Sequence, residues 1–185
     1  MPGKRLRGVQ KIGIALLVAS LCTASPAAGD EQPGTAAETP ARGPVTGLLL
    51  PRFVSLKFDK VRLRHGPGLH HRIDWDYVQR RGMPVEIIAE VENWRRIRDI
   101  DGDEGWVHSS QLSDVRGVIV TGSKVSVMRR RPEPAATPVA LVEPGLIGRV
   151  KSCREDWCRI TIKSYTGWLR RPALWGIYAH EEGID

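Results

Sequence analysis

The feature that most constrains this chain is that it repeats itself. Laid over itself at a shift near 63, residues 84–112 (PVEIIAEVENWRRIRDIDGDEGWVHSSQL) match residues 146–174 (LIGRVKSCREDWCRITIKSYTGWLRRPAL). Trp94 then lies over Trp157, Gly105-Trp106 over Gly167-Trp168, and Leu112 over Leu174. Upstream, KVRLRHGP at 60–67 lies over KVSVMRRRP at 124–132, with Val61 over Val125 and Leu63 over Val127. The repeat implies two copies of one module of about 60 residues, a size that buries only ~60% of its unfolded surface and gains from packing on a neighbour. The copies are therefore expected to touch, with LSDVRGV fixing their orientation.

Within each copy the apolar pattern is that of short strands. VRL, VEIIAEV, IGRV and RITIK are β-branched runs separated by the turn formers HGPG, DIDGDEG, RRRPEP and SYTG. No stretch after residue 28 keeps a 3.6-residue apolar period over eleven positions. The expected class is all-β, with roughly five strands per copy.

These residues carry a resemblance. An opening Val61-x-Leu63-Arg64-x-Gly66-Pro67, a strand ending shortly before Trp94, and a closing GWVHSSQL from Gly105 resemble the bacterial SH3-like domain, with a looser match in copy two. The resemblance implies two small SH3-like β-barrels in tandem in an exported bacterial protein. It also implies a non-catalytic binding module that recognises cell-wall peptidoglycan, a wall peptide or an envelope protein. A structural adaptor without wall affinity and an accessory to a wall hydrolase are the other readings it leaves. No catalytic residue, cofactor or metal is expected.

The N-terminus sets the expected compartment. MPGKRLRGVQK, the apolar run from Ile12 to Cys22, and the small residues up to Ala28 read as a signal peptide over 1–28, with the apolar run too short to span a bilayer. Its removal takes away Lys4, Arg5, Arg7 and Lys11 and no acid, so the formal charge falls from +7 to +3. With both signs interspersed, that charge lacks the clustered excess that nucleic-acid binding requires. The expected location is the periplasm, without stable membrane insertion after cleavage. Residues 29–50, rich in Pro, Gly, Ala, Thr and Glu, read as a disordered linker. Domains are then expected at 51–114 and 115–178, followed by a tail at 179–185.

By resemblance, Trp75 and Tyr77 belong to a long loop bordering a peptide groove, and with Trp106 and Trp168 they are the candidate ligand contacts. Packing residues are the competing reading for all four. Arg129, Arg130 and Arg131 are candidates for pairing with an acidic partner, against a plain solvated loop. His70 and His71, adjacent in an extended segment, are expected on opposite faces and not to share a metal. His108 has no evident catalytic partner, and DIDGDEG lacks calcium-loop spacing and reads as a polar turn.

The two remaining thiols, Cys153 and Cys158, flank four residues as Glu90 and Arg95 do in copy one. That places each pair face to face across a four-residue hairpin, a spacing a disulfide accepts. Copy two is expected to carry a disulfide where copy one carries an exposed ion pair.

Overall fold

A computed structural model describes residues 41–78 and 80–181; the expected signal peptide and the linker up to residue 40 lie outside the described residues. The first copy consists of β3 (Arg52–Leu56), β4 (Lys60–Arg64), β5 (Ile73–Val78), β6 (Pro84–Val91), β7 (Trp94–Arg98), β8 (Glu104–His108), a 3₁₀ turn at Ser109–Gln111, and β9 (Leu112–Ser113). The second repeats it as β10 (Gly117–Val120), β11 (Ser126–Arg129), β12 (Pro138–Val142), β13 (Ile147–Arg154), β14 (Trp157–Ile162), β15 (Tyr165–Arg170), a 3₁₀ turn at Arg171–Ala173, and β16 (Leu174–Trp175). Each copy is one antiparallel sheet of seven strands, in the orders β5-β4-β8-β7-β6-β3-β9 and β12-β11-β15-β14-β13-β10-β16. The all-β, tandem SH3-like architecture is thus the one the sequence indicates.

Three local expectations are corrected. The strand count is seven per copy, not five, because the segment expected as a long loop pairs along β4 as β5 and because a two-residue strand follows each 3₁₀ turn. The alignment over β4 and β11 slips by one residue. Leu63 corresponds to Met128, both fully buried, whereas Val125 is half exposed. Met128 lies eight positions after Val120 where Leu63 lies seven after the equivalent Leu56, and a one-residue slip moves a strand's whole apolar set to the other face. The hairpin between β6 and β7 closes with a two-residue turn, since Val91 faces Trp94 as Arg154 faces Trp157.

Residues 41–50, expected in the disordered linker, form a small hairpin of β1 (Ala41–Arg42) and β2 (Leu49–Leu50). Leu50 packs against the first core, and what holds the rest of the segment is a buried carboxylate. Glu90 accepts from the Val45 and Thr46 amides at 3.2 and 2.9 Å, the Thr46 hydroxyl at 2.7 Å and Arg52 at 2.7 Å. Gly43 packs so close that a β-carbon there would overlap the carboxylate. Arg95 stands 3.6 Å away and is itself buried, donating to the Glu92 and Trp94 carbonyls. The expected exposed Glu90–Arg95 pair is therefore a buried network, whose main partners come from outside the repeat.

The two sheets pack together through β3 and β6 of the first and β10, β16 and the residues after β16 of the second. Ile119 and Ile147 insert into the first barrel's core, and Ser55 donates to the Val115 carbonyl at 2.6 Å. Phe53 meets Trp175 edge-on at 4.9 Å and Tyr178 at 4.6 Å. The Tyr178 hydroxyl donates to Glu86, whose other oxygen receives Arg98. Burial, and then the Glu86 contact, push the Tyr178 phenol far above its ordinary range.

Burial by itself would raise the Glu90 pKa, but the Thr46 and Arg52 hydrogen bonds outweigh it and hold the carboxyl at about 2. Relative to an ordinary glutamate, that depression corresponds to about 3 kcal/mol of stability at neutral pH. Because the folded pKa is depressed, this stability is complete above about pH 4.3 and is lost as pH falls through about 2. Urea unfolding of the native protein should weaken progressively over that window, and Glu90→Gln should remove most of the dependence while lowering stability at pH 7.

Candidate binding faces

Strand register sorts the four candidate aromatic residues onto two sides of the sheet. Val61 and Leu63 on β4 are fully buried, and Tyr77 and Trp75 stand directly opposite them on β5, so both rings point to the core side. Tyr77 is 8% exposed, and its hydroxyl donates to Asp99 at 2.9 Å. The other Asp99 oxygen accepts from the Asp101 and Asp103 amides, so this buried aspartate organises the DIDGDEG turn. Burial first, and then Asp99, push the Tyr77 phenol far above its ordinary range. Tyr77 is thus held among core residues, with its polar end engaged by Asp99. Trp75 lies half-buried with its ring edge-on to Tyr77 at 6.3 Å.

Trp106 and Trp168 lie on the opposite, outward face. On β8 the residues alternate, with Gly105 and Val107 buried and Trp106 partly exposed between them, and β15 repeats this around Trp168. In register, Trp106 stands between Arg64 on β4 and Arg96 on β7. Trp168 stands likewise between Arg129 on β11 and Arg159 on β14. The structure brings Trp75 together with Tyr77 and keeps Trp106 apart from both.

The inner arginine of each row anchors a loop. Arg64 donates to the Leu69 and His71 carbonyls at 3.1 and 2.6 Å, and Arg129 to the Ala136 carbonyl at 2.8 Å. Arg129 is thus engaged within the chain, and Arg131 pairs with Glu133 at 2.9 Å. With the chain turning at 66–71, the His70 and His71 rings lie 4.1 Å apart, not on opposite faces. Among the described residues, no three or more His, Cys, Asp or Glu side chains are grouped to hold a metal ion.

His108 does have a serine partner, missed because it lies only two positions on. Its Nδ1 meets the Ser110 hydroxyl at 2.7 Å and accepts from the Ser110 amide at 3.2 Å, capping the 3₁₀ turn. The imidazole packs edge-on against Trp94 at 5.4 Å. This contact is local capping, with no third group oriented on the imidazole among the contacts described.

The glycine before each tryptophan is explained by strand crossing, not by a tight turn. A β-carbon on Gly105 would lie 2.5 Å from the Leu63 side chain and 3.1 Å from the Arg64 carbonyl. On Gly167 it would lie 2.5 Å from Met128 and 2.8 Å from the Arg129 carbonyl. Only hydrogen fits where β4 and β11 pass over, and that crossing sets the following indole facing outward.

At the end of the β13–β14 hairpin, Cys153 faces Cys158 with Cα atoms 4.1 Å apart and sulfurs 2.05 Å apart, forming the expected disulfide. Beside it, Arg171 donates to the Glu155, Tyr178 and Glu181 carbonyls and ties down the segment after β16.

Two sheets of identical topology, each bent sharply on itself and presenting loops and an aromatic outer face, define a pair of small β-barrel binding modules. The model of the bacterial SH3 domain family matches residues 57–114 and 122–176, and the chain belongs to that family, whose members are non-catalytic binding modules often associated with the cell wall. Several solved structures are similar. NlpC2 from Trichomonas vaginalis shares 16% identity, with 72% of this chain and 51% of that one covered and a TM-score of 0.33. NlpC1 from the same organism shares 16% identity, with 67% and 45% covered and a TM-score of 0.31. This chain thus spans about half the length of each. No curated protein matches it.

Two stability outcomes follow from this geometry. Cys153→Ser/Cys158→Ser should lose about 2 kcal/mol, the loop-entropy value for so short a ring, in urea unfolding under non-reducing conditions. Gly105→Ala should lose about 1–3 kcal/mol by overpacking against Leu63, and Leu63→Ala in the same chain should recover part of the added strain in a double-mutant cycle.

Proposed function

We propose that this chain is an exported, non-catalytic binding protein that holds cell-wall peptide on the outer sheet faces centred on Trp106 and Trp168. The observation that carries this reading is the arginine–tryptophan–arginine row, present in register in both copies. An indole flanked by guanidinium groups offers an apolar plate with charged donors at its rim, suited to a short peptide bearing carboxylates. Arg64 and Arg129 position the neighbouring loops, leaving Arg96 and Arg159 as the outer donors. Arg96 shares its charge with Glu104 at 2.7 Å, so the first face discriminates more by shape than by net charge. Membership in the bacterial SH3 domain family supports the assignment, and the Cys153–Cys158 disulfide suits an oxidising compartment such as the periplasm.

Retention on purified peptidoglycan tests the proposal. The native chain should be retained, and Trp106→Ala/Trp168→Ala should reduce retention by about tenfold or more, the scale of an aromatic hot spot. Tyr77→Phe should leave it unchanged. Absence of retention at every salt concentration would instead favour an adaptor that binds an envelope protein, and turnover of labelled wall fragments would contradict the non-catalytic reading.

A further inference from the structure

The junction of the two copies contains a cleft that neither copy forms alone. It encloses about 510 Å³ between β3, the turn before β6 and β9 on one side, and β10, β13 and β14 on the other. Leu56, Val115 and Ile147 supply apolar wall, and Gly82, Gly117 and Gly148 line the floor with backbone, Gly148 having its open side toward Ile160 and Ile162 of the second core. Gly117 packs so tightly on the Gly82 carbonyl that a β-carbon there would collide with it, which holds the two walls at a fixed separation.

The charges in this cleft have one sign. Lys57, Arg81 and Arg149 line it, no aspartate or glutamate does, and none of the three forms an ion pair among the described residues. Most other arginines of the first copy are paired: Arg52, Arg62, Arg72, Arg95, Arg96 and Arg98 all have carboxylate partners.

The repeat shows that the fold does not demand these cations. The Leu56 carbonyl accepts from the Gly82 amide and the Leu56 amide donates to the Met83 carbonyl, as Val120 accepts from Gly145 and donates to Leu146 in the other copy, which places Lys57 over Thr121 and Arg81 over Pro144. The registers of β6 and β13 place Arg149 over Glu86. The same module therefore folds with threonine, proline and glutamate at these positions, the glutamate being itself at the junction through Tyr178. Three unpaired cations beside low-dielectric walls raise the local potential and favour an anionic occupant. The apolar wall favours a ligand with an organic body over a bare inorganic ion.

We propose that the inter-barrel cleft is a second binding site, which takes a short acidic peptide with its carboxylates on Lys57, Arg81 and Arg149 and its backbone over the glycine floor. This site is separate from the outer tryptophan faces, so either proposal can fail while the other stands.

Fluorescence anisotropy of the full chain with labelled tri-glutamate tests it. Saturable binding is expected that weakens with added salt and is at least tenfold weaker for tri-glutamine. Arg81→Gln/Arg149→Gln, at exposed positions outside both cores, should weaken tri-glutamate binding at least tenfold. Lys124→Gln/Arg154→Gln removes the same charge elsewhere on the surface and should leave binding within twofold. In ¹H–¹⁵N spectra, tri-glutamate should shift the amides of Gly82, Gly117 and Gly148. Equal losses in the two double variants would show attraction to overall charge and overturn the proposal. Equal binding of tri-glutamine, or displacement of tri-glutamate by equimolar inorganic phosphate, would overturn it as well.

Discussion

The structure depends on one close crossing, made twice. Where β4 passes over Gly105 and β11 over Gly167, the sheet folds back on itself and drives Leu63 and Met128 into their respective cores. The β-bulges between Ile87 and Ala89, and between Val150 and Ser152, add bend at equivalent points of the longest strands. Everything outward follows from that bend. The next residue on each crossing strand is a tryptophan facing away from the core, and the arginine opposite it reaches a loop whose position the same crossing sets.

One corner of the module receives two chemical solutions. In copy one a buried carboxylate gathers donors from a hairpin outside the repeat, so its stabilisation depends on ionisation and on keeping residues 41–50 docked. In copy two a covalent bond closes the same corner, while Arg171 beside it binds the chain that follows β16. Each end of the tandem is thereby fastened to the tip of the nearer β-hairpin. The ionic solution responds to acid and the covalent one to reductant.

The junction joins these halves into one unit by sharing a core. Ile119 lies in the second copy's first strand yet packs with Val54, Val85 and Ile87 of the first. The tight Gly82–Gly117 contact and the Phe53–Trp175–Tyr178 cluster hold the opposite faces of the junction in register, which gives the basic cleft fixed walls.

The repeat, the alternation of apolar residues and the cysteine spacing are local in the chain, and they alone determined the class of fold, the tandem, the family resemblance and the disulfide. The disulfide was legible because hairpin geometry is set by a few successive residues. The capture of Glu90 by Thr46 and Arg52 was not, since partners 44 and 38 positions away leave no periodic signal. Nor was the sorting of the aromatic residues: Tyr77 and Trp106 are equally apolar in sequence, and only the strand order puts one on the core side, bonded to Asp99, and the other on the outer face. The extra residue before Met128 shifted an alignment that looked sound, because composition tolerates a slip of one position and a pleated sheet does not. The sequence by itself determined what kind of module this is and that there are two. Which side chains meet solvent, and that three scattered cations share one cleft, was decided only by the tertiary structure, because those relations depend on the packing of distant strands.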